Sequence, residues 1–334
     1  MAVASVELHD IEVILSGLGT VTPLATVTIR SQISGYLIQV GFTEGQSVHK
    51  GDLLAQVDPR PYQALLDQYE GALARDEAYL DNARLDLKRY QTLIKQDSIS
   101  GQTVDTQAAT VRQYEGAVRT DRGQVEAQKL NLAYCRITSP INGRVGLRQV
   151  DVGNYVQPSD STGITVVTQA APISVIFVLP EDCVPQLRGR MRQGVSLPVA
   201  AYDRSNTTRI AEGHLTAIDS QLDTSTGTLK LRALFPNTDD ALFPNQFVNA
   251  RLLLDTVRDA ITVPLAAVQI GADGKMVYVV DNENKVHMRN IQTGVANSER
   301  IAVTAGLKAG ERVVTDGANR LQDGATVRVV SAGP

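Results

Sequence analysis

Tryptophan is absent from this sequence, and phenylalanine occurs only five times in 334 residues. This shortage of aromatic side chains argues against one large aromatic-rich core and against the stacking surfaces that bind single-stranded nucleic acid. Basic residues are not in excess either, since 32 Lys and Arg stand against 36 Asp and Glu, which gives a net charge of −4. The electrostatic basis for a DNA or RNA partner is missing, so we expect no nucleic acid partner.

Cysteine and histidine are too few and too scattered to form a metal site. Cys135 and Cys183 lie 48 residues apart, with no C-x-x-C motif and no pair of histidines nearby. The histidines occur singly, at His9, His49, His214 and His287. We therefore predict no metal ion, and we interpret both cysteines as small buried apolar residues rather than as a disulfide.

No catalytic or phosphate-binding motif is recognisable. Gly17 and Gly19 form a G-x-G without the third glycine of a dinucleotide loop, and GADGK at 271–275 lacks the length and the Ser or Thr of a phosphate loop. We interpret both segments as β turns. Neither a G-x-S-x-G motif nor a Cys/His arrangement is present. The carboxylates have no visible pairing, which leaves an acid/base dyad open.

Long hydrophobic runs are missing as well. The longest apolar stretch, 164–179, is broken by Gln169 and Pro172 and is too short to span a bilayer. The N-terminal segment MAVASVELHD lacks the charged and apolar regions of a signal peptide. We expect a soluble chain that is either cytoplasmic or has lost an export segment.

The sequence does contain one frame that occurs twice. Residues 29–52, IRSQISGYLIQVGFTEGQSVHKGD, and residues 137–160, ITSPINGRVGLRQVDVGNYVQPSD, agree at seven positions. The shared pairs are Ile29/Ile137, Ser31/Ser139, Ile33/Ile141, Gly35/Gly143, Gly45/Gly153, Val48/Val156 and Asp52/Asp160. Alternating apolar residues and turn glycines predict strands in both copies. Because each copy is too small to bury its apolar face, we predict that the two pair into one small sandwich.

The segment between the two copies has helical periodicity. Asp58 and Pro59 suit the start of a helix, and apolar residues then recur at steps of four and three. This stripe, which only Asp76 interrupts, consists of Tyr62, Leu66, Tyr69, Leu73, Leu80, Ala83, Leu87, Tyr90 and Ile94. After the turn segment KQDSISGQT, a second stripe recurs every seven residues at Val104, Val111, Val118, Val125 and Leu132. The pattern predicts an antiparallel coiled-coil hairpin over residues 61–133.

From about Ala171 onward, short alternating strands between turn signals are typical of a β-barrel or sandwich. One helix is expected over 179–192, because proline and acidic residues suit its start. In the last β segment, hairpin turns are expected at Asp273-Gly274 and around 282–284. The N-terminal segment ASVELHDIEVI is a candidate β partner for that last segment.

The first copy of the frame, GYLIQVGFTEGQSVHKGDLLAQVD, resembles the first half of a lipoyl or biotinyl carrier domain, and ITSPINGRVGLRQVDVGNYV resembles the second half. In those carriers a tight hairpin joins the halves and presents the lysine that receives the cofactor. Asp58-Pro59-Arg60-Pro61 stands at that place and contains no lysine. The resemblance therefore implies a split lipoyl-like domain over 29–60 and 134–170, with no cofactor, that holds both ends of the helical hairpin.

The whole chain resembles the periplasmic adaptor proteins, or membrane fusion proteins, of resistance-nodulation-division (RND) efflux pumps, and among them the MdtA-like multidrug subgroup. Its most specific segments are YCRITSPINGRVGLRQVDVGNYV, DTSTGTLKLRALFPN, LFPNQFVNARL and VPLAAVQIGADGKMVYVV. The implied fold is mainly β with a long α-helical coiled-coil hairpin. It comprises the split lipoyl-like β-sandwich, a β-barrel domain over 15–28 and 171–256, and a membrane-proximal β domain over 1–14 and 257–334. Asn245 replaces the glycine of the family's P-G-Q turn, and because Asn tolerates the left-handed conformation we expect the same turn.

This resemblance implies a protein that is not an enzyme. Such an adaptor links an inner-membrane, proton-driven RND transporter to a TolC-type outer-membrane channel for export of drugs or other toxic compounds, with several copies, expected to form a hexamer, around the conduit. It lies in the periplasm, attached to the inner membrane by a lipidated cysteine or a membrane segment, and this sequence shows neither. An adaptor of an ATP-driven exporter is the nearer alternative, and a lipoyl or biotinyl carrier protein is a remote one.

The tip of the hairpin carries the candidate site. In the adaptor family an arginine, a leucine four residues later and a serine seven residues beyond it contact the outer-membrane channel, and RYQTLIKQDSISGQTVD matches with Arg89, Leu93 and Ser100. The resemblance implies that Arg89 bonds carbonyls or carboxylates, Leu93 enters a groove between channel helices, and Ser100 permits close helix approach. The residues also allow a solvated charge opposite Asp86, a flank of the apolar stripe and a helix cap, respectively. Because Ile94 already fills the heptad position, Leu93 is free to face outward.

Overall fold

The computed structural model describes residues 1–271, 274–318 and 321–328. Its first elements in chain order are β1 (Val3–Ser5), β2 (Glu7–Pro23), β3 (Thr26–Ile29), β4 (Gly35–Val40), β5 (Ser47–Val48), β6 (Leu53–Val57), α1 (Arg60–Ile94), α2 (Gly101–Tyr134), β7 (Arg136–Thr138), β8 (Gly143–Val145), β9 (Tyr155–Val156) and β10 (Thr165–Thr168). They are followed by β11 (Ile173–Pro180), α3 (Val184–Arg192), β12 (Pro198–Tyr202), β13 (Arg209–Asp223), β14 (Thr228–Phe235), β15 (Phe247–Pro264), β16 (Gln269–Gly271), β17 (Gly274–Val280), β18 (Val286–Asn290), β19 (Gln292–Ala296), β20 (Arg300–Ala305) and β21 (Arg312–Val314). The predicted fold class, mainly β with a long helical hairpin, is confirmed.

The chain divides into two compact units. Pro23–Ala170 forms one, here called the sandwich unit, and Met1–Thr22 with Ala171–Pro334 forms the other, the barrel unit. Among the described residues, every helix is too short or too polar to span a bilayer. The finer domain limits expected from the sequence stay a prediction.

In the sandwich unit, the two copies of the repeated frame interleave. One sheet has the strand order β3-β10-β8-β5 and the other has the order β7-β6-β4-β9, so each sheet takes strands from both copies. The pairings are antiparallel. Buried apolar residues of both copies form one core. The predicted pairing of the two half-motifs into one sandwich is confirmed.

The serines shared by the two copies make the same local hydrogen bond. Ser31 Oγ donates to the carbonyl of Ile33 at 2.5 Å, and Ser139 Oγ donates to the carbonyl of Ile141 at 2.6 Å. Both serines are buried. A buried hydroxyl needs such a partner, so the frame repeats a serine at the point where its chain bends inside the core.

The shared aspartates and glycines mark matching turns. Asp52 and Asp160 each accept, at 2.8 and 2.9 Å respectively, a hydrogen bond from the backbone N–H three residues earlier. Gly45 and Gly153 both have positive φ, at 76° and 94°. These conformations are costly for other residues, so the identities follow from the backbone path that both copies share.

Helices α1 and α2 form the antiparallel hairpin. Every residue of the two predicted apolar stripes is buried or half-buried. Arg84 pairs with Glu115 at 2.8 Å and Arg122 pairs with Glu77 at 2.7 Å, both across the exposed surface. Exposed ion pairs contribute little to stability, so the apolar stripes hold the helices together. The predicted coiled-coil hairpin is confirmed.

We expect the sandwich to fold without this hairpin. Strands β6 and β7, which lead into and out of it, are antiparallel neighbours in one sheet, and such neighbours can be joined by a tight turn. Replacing residues 62–132 by a short turn should therefore leave the β signal in circular dichroism and a cooperative thermal transition. Loss of that β signal would show that the two halves depend on the coiled coil.

In the barrel unit, six strands close into a barrel. Their order is β12-β13-β14-β11-β2-β15, and β12 also pairs with β15, which completes the closure. Phe177 and Phe235 are fully buried inside it, and α3 adds Leu187 to the same core. The helix predicted over 179–192 is present as α3, preceded by a 3₁₀ turn at Glu181–Cys183.

Gly17 and Gly19 lie within strand β2, so the interpretation of this G-x-G as a β turn is wrong. A Cβ atom on Gly17 would lie 2.2 Å from the carbonyl oxygen of Val178, and one on Gly19 would lie 2.8 Å from a methyl group of Val175. Both obstructing residues belong to β11. Strand β2 therefore passes too close to β11 for a side chain at either position.

The last β segment forms a sheet with the strand order β1-β21-β17-β16, and β18 pairs with β17. Strand β1 comes from the N-terminus, so the predicted N-terminal β partner is confirmed. Asn284, with φ of 61°, lies in the turn predicted between β17 and β18. Of the turn predicted at Asp273-Gly274, Asp273 lies outside the described residues. Asn245 has φ of 65°, which confirms the expected left-handed turn.

Candidate functional site

The tip of the hairpin is the turn between α1 and α2. The carbonyl of Leu93 accepts the N–H of Ser98, and the carbonyl of Ile94 accepts the N–H of Asp97, both at 3.1 Å. Asp97 has φ of 53°. This pair of bonds around a left-handed residue is the Schellman motif that ends many helices, with aspartate in the place that glycine usually takes. The turn therefore holds the backbone of Leu93 directly.

Leu93 lies on the surface at this turn. The residue is 37% exposed, whereas Ile94 beside it is half-buried. The Cδ1 atom of Ile94 lies 4.0 Å from the position that a Cβ on Gly101 would take. Ile94 thus closes the apolar seam at the tip, as the heptad pattern predicts, and Leu93 faces outward.

Arg89 lies one turn before Leu93 on the same face of α1, because residues four apart in a helix are neighbours. Its side chain is 70% exposed, and its Nη1 lies 3.1 Å from Asp86 Oδ1. An exposed pair of this kind is weak. The remaining guanidinium donors stay available for the carbonyl or carboxylate oxygens of a partner.

Ser100 caps helix α2. Its Oγ accepts the N–H of Thr103 at 3.3 Å and lies 2.9 Å from Thr103 Oγ1. The interpretation of Ser100 as a helix cap is therefore confirmed, while its part in a channel contact stays a prediction. Since Ser100 is exposed, both roles are compatible.

The structure brings Arg89, Leu93 and Ser100 to one end of the hairpin, all of them exposed. The set combines a planar cation, an apolar side chain and a small hydroxyl. These groups can donate hydrogen bonds to another protein surface and pack against it.

The position of the carrier lysine is occupied by an ion pair at the base of α1. Asp58 Oδ1 accepts the N–H of Arg60 at 3.1 Å, and Asp58 Oδ2 lies 2.6 Å from Arg60 Nη2. The side-chain hydrogen bond from Arg60, followed by the backbone one, lowers the pKa of Asp58. The sequence has no lysine between Lys50 and Lys88, so this turn offers no acceptor for lipoate or biotin.

Within the described ranges, no group of three or more His, Cys, Asp or Glu side chains is placed to hold a metal ion. Three of the histidines each lie near one carboxylate: His9 near Glu7, His49 near Asp52 and His287 near Asp281. Both cysteines are free thiols. Cys135 is buried as predicted, and burial raises the pKa of its thiol, whereas Cys183 is only half-buried.

Sequence reasoning missed two features of the hairpin. One is Asp97, whose left-handed conformation shapes the tip; an aspartate among polar turn residues was the available signal. The other is a second inward-facing row on α2, three residues after each valine of the stripe. It consists of Gln107, Tyr114, Asp121 and Gln128, all buried or half-buried. The seven-residue spacing was the available signal, but a search for apolar periodicity does not detect polar residues.

Three family models match the sequence. They are described as "RND MFP, barrel-sandwich hybrid domain" over residues 25–168, "RND MFPs, beta-barrel domain" over 172–256, and "RND MFPs, C-terminal permuted SH3 domain" over 259–320.

Relatives and a solved structure resemble the chain over most of its length. Multidrug resistance protein MdtA of Yersinia enterocolitica is 51% identical over 321 residues, which cover 95% of this chain and 72% of the relative. The protein of that name from Pantoea ananatis is 50% identical over 329 residues, which cover 98% and 80%. The crystal structure of MacA from Actinobacillus actinomycetemcomitans has a TM-score of 0.60 at 21% identity, with 94% of this chain and 99% of that chain covered, a likeness of fold.

Proposed function

Because the chain belongs to the family of RND membrane fusion proteins, in its MdtA-like group, we propose that it links a proton-driven inner-membrane transporter to a TolC-type outer-membrane channel. Family membership makes the chain an efflux-pump adaptor. The proposal adds the class of transporter, the class of channel and the residues that contact the channel.

The observation that carries the proposal is the exposed face at the hairpin tip. Arg89 and Leu93 lie one turn apart on that face, and Ser100 lies across the turn at the start of α2. An exposed apolar side chain on a helix, such as Leu93, suits a groove between two partner helices. A guanidinium suits the unpaired carbonyls at a helix end or a carboxylate beside them. A channel whose periplasmic end is built from helices offers both the groove and the hydrogen-bond acceptors.

The rest of the proposed assembly rests on the same family. Several copies, six in the assembled pump, surround a conduit through their lipoyl-like and barrel domains, while the hairpins reach the channel. The protein acts in the periplasm, attached to the inner membrane, and the exported compounds are drugs or other toxic molecules. It carries out no reaction of its own.

Two observations favour this function over the alternatives. All three family models are those of RND adaptors, which supports an RND transporter rather than an ATP-driven exporter. A carrier protein needs a lysine at the turn where this chain places the Asp58–Arg60 ion pair.

Crosslinking from the tip in cells that produce the whole pump tests the proposal. A Leu93→Cys variant, in a Cys183→Ala background, is labelled with a photoreactive maleimide, and its crosslinked partners are identified by mass spectrometry. The matched control is Leu85→Cys, which replaces an exposed leucine about 12 Å nearer the base of α1. Cys135 is buried and stays unlabelled.

We expect an outer-membrane channel as the main partner of residue 93 and much less of it from residue 85. Co-purification of the unlabelled adaptor should retain an RND transporter. Equal crosslinking from both positions, or none to a channel while resistance is intact, would contradict the proposed contact.

A further inference from the structure

The middle of the helical hairpin differs from its two ends. Asp76 is the one break in the apolar stripe of α1, and Asp121 belongs to the inward-facing polar row of α2. The cross-helix pair of Arg122 with Glu77, which are the chain neighbours of the two aspartates, places both aspartates in the middle part of the antiparallel hairpin. The apolar seam is therefore interrupted at mid-length by two carboxyl groups.

Glutamines in the same row show how a polar residue can be accommodated there. Gln107 Nε2 donates to the carbonyl of Ala83, and Gln128 Nε2 donates to the carbonyl of Tyr62, both at 3.0 Å. The two glutamines are three heptads apart, and so are their acceptors. One register therefore relates the row on α2 to the backbone carbonyls of α1.

Asp121 belongs to the same row but cannot make the hydrogen bond that the two glutamines make. It lies one heptad before Gln128 and hence opposite Tyr69, but an ionised carboxylate has no N–H to donate to a carbonyl. Its Oδ2 atom is buried and has no hydrogen-bond partner among the described residues. A buried acceptor without a partner destabilises the closed state relative to a state that admits water.

Arg75 partly balances the two carboxylates. Its Nε donates to Asp76 Oδ1 at 2.7 Å. The pKa of Arg75 is raised mainly by that hydrogen bond and by the charge of Asp76, with smaller contributions from Tyr79 and Asp121. One largely exposed guanidinium thus interacts with two carboxylates: it donates a hydrogen bond to Asp76, and its interaction with Asp121 is the weaker one.

Three glycines near this layer form a second, independent peculiarity. Gly71 lies within α1, and Gly116 and Gly123 lie within α2 on either side of Asp121. A Cβ atom at any of the three would meet no other atom within 4 Å, and none of the three has positive φ. Neither packing nor backbone conformation requires them, yet glycine weakens a helix interior relative to alanine.

We infer that residues 71–77 of α1 and 116–123 of α2 form a compliant segment at which the hairpin opens locally and bends more readily than elsewhere. Both helices run unbroken through it. Buried apolar layers on either side, with Leu80, Ala83 and Val111 toward the tip and Leu66 and Val125 toward the base, keep the register when it opens. The compliant segment allows the tip to change direction while the base stays held by the sandwich.

Hydrogen exchange of the full chain, followed by mass spectrometry, tests the inference. In a uniform hairpin, exchange is fastest at frayed ends and slowest at mid-length. We expect the opposite here: amides of the compliant segment exchange faster than those of 80–87 and 104–111. Replacing Gly71, Gly116 and Gly123 by alanine should slow amide exchange in the segment, because alanine favours a helix more than glycine does. Each replaced glycine that lies in the stretch that opens should slow exchange by about fivefold.

Two further variants sharpen the test. Asp121→Gln supplies the donor that Gln107 and Gln128 use, and it should slow exchange in the segment by about tenfold. Gly189→Ala is the matched control, because its Cβ in α3 also meets no atom within 4 Å, and it should leave the hairpin unchanged. If the segment exchanges more slowly than its flanks, or if the glycine and Asp121 variants leave its exchange unaltered, the inference is wrong.

Discussion

Replacing Arg89 by aspartate, Leu93 by serine or Ser100 by arginine is expected to abolish efflux-dependent resistance in cells that carry the whole pump. Each change acts on one feature of the exposed tip: the first reverses a charge, the second removes an apolar anchor and the third adds bulk where helices approach closely. A central anchor in a protein interface commonly carries a large share of its affinity. The minimum inhibitory concentration of an exported drug, at matched adaptor expression, measures the effect.

Matched substitutions away from the tip distinguish docking from general damage. Leu85→Ser removes another exposed leucine of α1, and Arg112→Asp reverses another exposed charge of the hairpin. Both should leave resistance near wild type, and all variants should still co-purify with the transporter. Full resistance in all three tip variants at normal expression would refute the assignment of these residues.

Ser100 needs a control of its own because it also caps α2. Loss of a serine cap costs about 1 kcal/mol of helix stability, so Ser100→Arg weakens the start of α2 as well as enlarging the side chain. Ser100→Asp keeps an oxygen that accepts the Thr103 N–H while adding bulk and charge. We expect loss of resistance in both variants. Full resistance in Ser100→Asp would mean that capping is the whole contribution of Ser100.

Replacing Gly17 by alanine is expected to destabilise the barrel by about 3 kcal/mol, the upper end of the range for overpacking. The reason is that the new Cβ would lie 2.2 Å from the carbonyl oxygen of Val178, a main-chain atom that cannot rotate away. Thermal unfolding followed by circular dichroism should show the barrel transition about 6–12 °C lower. The nearest atom to a Cβ on Gly19 is a methyl group of Val175, at 2.8 Å. A side-chain atom can move more easily than a main-chain carbonyl, so Gly19→Ala should destabilise the barrel less than Gly17→Ala.

Gly189→Ala is again the control for this experiment, because the position is open and helical. It should leave the transition unchanged or raise it slightly, as alanine favours a helix. An unchanged transition in Gly17→Ala would show that β2 can move away from β11 at little cost.

Local patterns in the sequence determined most of the architecture. The heptad spacing of Val111, Val118 and Val125 required a helix that buries one side, whatever the rest of the chain does. In the repeated frame, Ser31 bonds a carbonyl two residues away and Asp52 bonds an N–H three residues away. Because such bonds are short-range, a repeated sequence gives a repeated local structure, and the pairing of the two copies into one sandwich could be predicted.

The outward position of Leu93 could also be predicted, since Ile94 had already taken the heptad position. The shape of the tip could not, because the Schellman bonds around Asp97 depend on where α1 stops, and the periodic pattern locates that point only to within a turn. The channel contact itself remains a prediction, because recognition depends on a second surface that this chain does not contain.

Other features depended on residues far apart in the chain. Gly17 and Gly19 read as a turn in isolation, whereas the close passage of β11, some 160 residues later, is what requires them. Nothing in the local sequence marks Asp121 as inward-facing, whereas the packing of α2 against α1 leaves its Oδ2 atom buried and without a hydrogen-bond partner among the described residues. The sequence by itself determined which segments become helices and strands, because periodicity and short hydrogen bonds are local. Only the tertiary structure decided which atoms meet across the barrel and across the hairpin, because those distances depend on how separate elements pack.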